Sequence, residues 1–235
     1  MPRHVHGIVL IVGATGRSPL LKNSKVAIKN MGKKSQAGFT ILCIGDSHTA
    51  GFPDYDPLMG GNPESSYQFW LREGLLAELP DHEFRLINEG LCGDTSRGIV
   101  SRLSRALTGL PCDLVILAGG TNDLGMISEE QVVKHLTDGY DACRSRGIPL
   151  IAPTIPPISL QGYGAPIQKV NLAIERYASA ASGVFLADWF GALKDEDGFL
   201  ADRFDAGDGV HLSVEGYKRI GTLMVPLVRQ AILSH

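Results

Sequence analysis

Cysteine is scarce in this chain, and no aspartate or glutamate occurs before Asp46. The four cysteines, Cys43, Cys92, Cys112 and Cys143, stand far apart, with no C-x-x-C and no histidine at ligand spacing from any of them. That excludes the usual zinc-site spacings and a disulfide framework, and reads as reduced, inert core thiols in a cytoplasmic protein. No cofactor or metal is expected. The longest apolar stretch near the start, Ile8 to Val12, is too short to cross a membrane and short even for a signal-peptide core, so no export signal and no stable membrane insertion are read. A formal charge of -3, with no basic stripe interleaved with aromatics in the main body, gives nucleic acid no general attraction. Complete phosphate loops are missing too. Gly13-Ala14-Thr15-Gly16 follows an apolar run as a dinucleotide-binding turn would, but neither G-x-G-x-x-G nor G-x-x-x-x-G-K-[ST] occurs, and no βαβ unit follows.

The want of early acids marks a boundary. Residues 1–38 carry Arg3, Arg17, Lys22, Lys25, Lys29, Lys33 and Lys34 unopposed, whereas the chain from 39 to 235 mixes both signs of charge. The shift divides the chain into a basic N-terminal extension and one main domain. Three explanations of the extension compete: a loosely packed basic tail, a weak targeting segment, or translated upstream sequence with Met31 as the natural start. The tail and the upstream start are preferred.

From residue 39 onward, short β-rich apolar runs alternate with helical periodicity. Strands are predicted at 39–44, 84–88, 113–118, 148–152 and 183–187, and helices at 66–79, 97–107, 128–146, 166–181 and 213–232. Ser128 to Gln131 has the form of a capping box and Gly147 of a helix stop. Unbroken runs such as Leu114-Val115-Ile116-Leu117 suit strands buried on both faces, hence a parallel sheet between helical layers, a doubly wound sandwich. In such sheets ligands bind beyond the carboxyl ends of the strands. Ser47, Gly93, Asn122 and Asp188 all fall there.

Four segments near those strand ends carry chemistry. Gly45-Asp46-Ser47-His48 follows the first strand, Cys92-Gly93-Asp94 the second, and Gly119-Gly120-Thr121-Asn122-Asp123 the third; Asp208 and His211 precede the last helix. Taken singly, each has an ordinary reading: Ser47 as a helix cap, Gly93 and Asn122 as loop residues, Asp208 and His211 as a surface turn with a satisfied histidine. Taken together, a hydroxyl, an imidazole and an acid supply the parts of an activated nucleophile. Asp46, Asp94 and Asp123 read as loop anchors through backbone N–H groups. His48 reads as packing or a solvent contact, and Cys92 as buried and inert.

The order and spacing of these segments resemble the SGNH hydrolases, the GDSL-like esterase and lipase superfamily, from about Phe39 to the C-terminus. The resemblance implies a three-layer α/β/α sandwich on a five-stranded parallel flavodoxin-like sheet. It implies Ser47 as nucleophile, His211 as general base and Asp208 as its orienting acid; should Asp208 prove dispensable, another acid such as Asp205 comes into question. It assigns the oxyanion hole to the backbone N–H of Ser47, the backbone N–H of Gly93 and the side-chain amide of Asn122. His48 departs from the family pattern, which has an aliphatic residue there. The α/β-hydrolase alternative lacks its G-x-S-x-G elbow, because Gly45-Asp46-Ser47-His48-Thr49 ends in threonine. The expected activity is hydrolysis of small or medium carboxylic esters through an acyl-enzyme, with a small-molecule ester as partner. Lysophospholipase or acyl-CoA thioesterase activity is the near alternative, and carbohydrate acetylesterase a third. A catalytically silent or nucleotide-binding flavodoxin-like module is the rival of another class. Loops 50–66, 124–128 and 154–166 are the expected pocket walls, and Phe52, Pro53, Tyr55, Pro57, Met59, Ile155, Ile158, Leu160 and Tyr163 in them read equally as an apolar acyl pocket or as local packing beneath long loops.

Overall fold

The computed structural model describes residues 38–234, so the basic extension lies outside the described residues apart from Gly38. In chain order the elements are β1 (Phe39–Gly45), α1 (Ser47–Ala50), β2 (Tyr55–Asp56), β3 (Gly60–Gly61), α2 (Tyr67–Glu78), β4 (Phe84–Gly90), α3 (Ser96–Gly109), β5 (Leu114–Leu117), α4 (Glu129–Arg144), β6 (Leu150–Pro153), α5 (Gly164–Ala180), β7 (Val184–Ala187), α6 (Trp189–Leu193) and α7 (Val214–Leu233). A 3₁₀ turn, Thr121–Asp123, follows β5.

Five strands form one parallel sheet in the order β4-β1-β5-β6-β7. β1 runs in register with β4 from Phe39↔Phe84 to Gly45↔Gly90, and with β5 from Ile41↔Leu114 to Ile44↔Leu117. Side chains of a strand alternate between faces, and here both faces are covered. Ile41 and Cys43 join one buried cluster with Leu71, Leu75, Trp189, Ile220 and Met224, from α2, α6 and α7. Leu42 and Ile44 join a second with Ile99, Leu103, Leu136, Tyr140 and Ile174, from α3, α4 and α5. This is the predicted three-layer sandwich. Each fully buried aliphatic side chain stabilises it by roughly 1.5–3 kcal/mol.

The five predicted strands and the five long helices are present, with ends displaced by one to a few residues. Ser128 and Gln131 form both bonds of the capping box, and Gly147 turns into the left-handed region (φ 69°) just past α4. Apart from the 3₁₀ turns, α1, α6 and the β2–β3 hairpin within loop 50–66 have no predicted counterpart. All are too short to display a period.

Candidate active site

The chain reverses its winding direction between β1 and β5, and ligand crevices of doubly wound sheets open at such a reversal. Ser47 stands there, the first residue of α1, two positions beyond the end of β1. Asp46 caps that short helix, its Oδ1 accepting the His48 backbone N–H at 3.1 Å. Close packing beneath the turn depends on glycine: a Cβ on Gly90 would run into the backbone N of Ala50.

From the other end of the chain, the loop before α7 brings His211 to Ser47. His211 Nε2 lies 3.1 Å from Ser47 Oγ, and His211 Nδ1 lies 2.6 Å from Asp208 Oδ2. A carboxylate accepts, so the imidazole proton sits on Nδ1, and Nε2 is left to accept the Ser47 O–H. A tight turn joins the two residues: Asp208 Oδ1 accepts the backbone N–H of Val210 at 2.9 Å and of His211 at 2.8 Å. Partial burial pushes the Asp208 carboxyl up, but the bonds and charge from His211, with the Val210 N–H, outweigh it and hold it lowered to about 2. The edge of the Phe52 ring packs on the His211 imidazole, centroids 4.5 Å apart. Asp205 is not in this line. Its carboxylate accepts N–H groups of Gly207 and Gly209 and so builds the loop.

The remaining predicted positions gather on the same side of the sheet. Gly93 is exposed with φ 77°, and a Cβ there would meet nothing within 4 Å. Glycine is therefore demanded by the left-handed backbone rather than by a crowded approach. Asn122 donates one amide N–H to the Asp94 carbonyl at 3.0 Å, which fixes which way the amide points and leaves a second N–H free. The anchor reading of Asp94 and Asp123 holds geometrically. Asp123, buried, accepts the Ser96 backbone N–H at 2.7 Å and the Ser96 hydroxyl at 2.9 Å, while Ser96 Oγ lies 3.0 Å from His135 Nδ1. That network pins the turn carrying Asn122 to α3 and α4.

Arg102 carried no sequence signal, yet it ties the region together. From α3 its guanidinium reaches the Asp94 carboxylate at 2.8 Å, the Glu89 carbonyl at 2.6 Å and the Gly45 carbonyl at 2.8 Å. One planar fork thus joins the ends of β1 and β4 to the segment that holds Asn122. One of the three arginines of an amphipathic helix, beside Arg97 and Arg105, looks like any solvated charge, so only the fold reveals its partners.

One expectation needs correction. Cys92 is exposed, not buried, whereas Cys43 and Cys143 are buried as expected and Cys112 is partly so. Cys92 sits in the turn that carries Gly93 outward from the sheet end, beyond the reach of the core. Burial still pushes the Cys43 and Cys143 thiols up to about 12. Of the expected pocket walls, Ile155, Ile158 and Pro57 are buried, the two isoleucines in the core cluster of α3 to α5, because the segment after β6 folds back under the helices. Phe52, Met59 and Leu160 are exposed. Asp188 caps α6 through Gly191 N–H and makes no bond to the Ser47 group. Among the described residues no cluster of three or more His, Cys, Asp or Glu side chains suits a metal ion, and no helix is long and apolar enough to cross a membrane.

Sheet order, crossover helices and the position of the strand-end loops are those of the SGNH hydrolase fold. The chain belongs to the GDSL-like lipase/acylhydrolase family, whose model matches residues 43–219. Solved structures agree on the fold. A member of the lipolytic protein G-D-S-L family from Veillonella parvula is 20% identical, with a TM-score of 0.66 over 82% of this chain and 100% of that one. A GDSL-like lipase from Bacteroides thetaiotaomicron is 21% identical, with a TM-score of 0.60 over 82% and 88%. A carbohydrate esterase family 3 protein from Talaromyces cellulolyticus is 19% identical, with a TM-score of 0.63 over 84% and 99%. No curated protein matches the sequence.

Proposed function

We propose that this protein is a serine esterase that hydrolyses carboxylic esters of small or medium acyl chains through an acyl-enzyme. The observation that carries the reading is the unbroken hydrogen-bonded line Asp208–His211–Ser47, assembled from residues 164 positions apart.

In this mechanism Ser47 Oγ attacks the ester carbonyl carbon while its proton passes to His211 Nε2. Asp208 keeps the imidazole in the Nδ1–H tautomer and stabilises the imidazolium that forms. The tetrahedral oxyanion receives hydrogen bonds from the N–H groups of Ser47 and Gly93 and from the free amide N–H of Asn122, each worth about 3 kcal/mol of transition-state stabilisation. Collapse breaks the bond to the leaving alkoxide, which takes the proton from His211, and water then repeats the sequence to release the acid.

The test is a panel of p-nitrophenyl esters from acetyl to palmitoyl, run beside Ser47→Ala. The parent is expected to turn over the shorter esters and Ser47→Ala to lose at least about 10³-fold; equal rates would remove Ser47 from the mechanism. A second reading, lysophospholipid or acyl-thioester hydrolysis, is favoured by the exposed apolar side chains of Phe52, Leu91, Met126 and Leu160 on loops next to the proposed site residues. Rates that climb with chain length through the panel select it.

A further inference from the structure

Beside the proposed nucleophile stands an imidazole that the proposed proton transfers do not use. His48 is 1% exposed, in a position where an aliphatic side chain would suffice for packing. Its Nε2 lies 3.0 Å from the Val210 carbonyl oxygen, 162 residues away, and its Nδ1 lies 3.4 Å from Asp46 Oδ1. A carbonyl only accepts, so Nε2 carries a proton. A carboxylate facing Nδ1 repels a lone pair and attracts a second proton. The 3.4 Å approach is an ion-pair distance rather than a hydrogen bond, and Nδ1 has no hydrogen-bond partner of its own, so it is the Asp46 charge that favours the second proton and holds the ring as a cation.

The Val210 carbonyl belongs to the peptide unit whose N–H is that of His211. That N–H donates to Asp208 Oδ1 at 2.8 Å. One peptide plane is therefore gripped at both ends, by His48 on its oxygen and by Asp208 on its nitrogen, and the backbone it fixes carries the His211 ring. From another side Ser159 N–H holds the Gly209 carbonyl at 2.7 Å, tying the same loop to the segment after β6. His48 supplies the tie to the turn that bears Ser47.

We infer that His48 is a positioning residue, an imidazolium clamp between Asp46 and the Val210 carbonyl that sets the placement of His211 against Ser47. The inference rests on the esterase reading for its consequence in rate, not for its charge state. Burial alone would strip the proton from His48. The Asp46 carboxylate outweighs it, helped by the Val210 carbonyl and the Asp208 charge, and raises the imidazole above its ordinary range. The His211 ring also faces it, centroid 5.7 Å away, and the buried Tyr67 of α2 and Tyr217 of α7 feel the same Asp46 charge. Burial raises both tyrosine hydroxyls, so neither presents His48 with a second anion.

The test has two arms. Nitrogen-15 NMR of histidine-labelled parent protein at neutral pH, with His48 assigned by its disappearance in His48→Gln, should show both His48 nitrogens protonated; a bare ring nitrogen overturns the clamp. In the second arm, p-nitrophenyl acetate turnover is compared for parent, His48→Gln, which keeps an N–H donor for Val210, and His48→Leu, which keeps only bulk. His48→Leu should lower kcat about ten-fold or more with KM nearly unchanged, and His48→Gln should recover most of that loss. A His48→Leu enzyme as fast as the parent, or a His48→Gln enzyme as slow as His48→Leu, overturns it. Should His48→Leu not fold, the ring protonation and the His48→Gln rate decide. The NMR arm needs no turnover, so a fully active Ser47→Ala variant would remove Ser47 from the mechanism, while the protonation of the His48 nitrogens would still support or overturn the clamp.

Discussion

At the scale of single residues, some groups touch the reacting atoms and others hold those groups in place. On the proposed mechanism Asp208 orients and stabilises, so Asp208→Asn should cost one to two orders of magnitude less activity than Ser47→Ala or His211→Ala. Its folded carboxyl is lowered from 3.8 to about 2, so the stability its bonds supply is complete above pH ~3.8 and disappears as pH falls through about 2. Urea unfolding of parent and Asp208→Asn should accordingly show a difference that shrinks across that window. The sign reverses for His48: its raised value makes its contribution complete below pH ~6.5 and lost as pH rises through the raised value. Gly93→Ala tests the backbone reading, since alanine at φ 77° costs about 1–2 kcal/mol and turns the proposed oxyanion donor aside. Its kcat should fall while KM holds; a change confined to KM would contradict the assignment. Ser47, Gly93, Asn122, Asp208 and His211 could be nominated from sequence because each sits at a strand end or before a helix in a recognisable order. The burial of His48 was not legible there, because its partner Val210 is distant in sequence and offers only a carbonyl.

At the scale of elements, the strand ends and the helix starts beside them do the positioning. Arg102 on α3 joins the Gly45 and Glu89 carbonyls to Asp94, and Asp94 in turn orients Asn122. Arg102→Leu leaves two carbonyls and a largely buried carboxylate without this partner, which should destabilise the fold by about 3 kcal/mol, read from the denaturant midpoint. Activity should fall further than stability alone explains, because the proposed oxyanion donors lose their common anchor. The long elements were legible from apolar runs and helical periodicity, down to the capping box of α4. The short ones were not, for α1 and α6 span little more than one turn and are made by capping aspartates and tertiary packing rather than by a repeating pattern.

At the scale of the whole molecule, a sheet buried on both faces brings residues from opposite chain ends to one edge. The predicted sandwich followed from unbroken apolar strands separated by helices. The order β4-β1-β5-β6-β7 comes from the structure, because periodicity says which segments are strands but not which are neighbours. The basic extension remains a proposal: a chain beginning at Met31 should fold and keep the parent's ester rate, and loss of both would make the earlier residues part of the core. The central claim is that Ser47 carries the acyl group during turnover. Acid quenching of the parent within the first turnover of p-nitrophenyl acetate, followed by mass spectrometry of its peptides, is its sharpest test. One acetyl group is expected on the peptide containing Ser47 and none in Ser47→Ala; an acetyl group on another residue, or turnover by Ser47→Ala at the parent's rate, would contradict the claim.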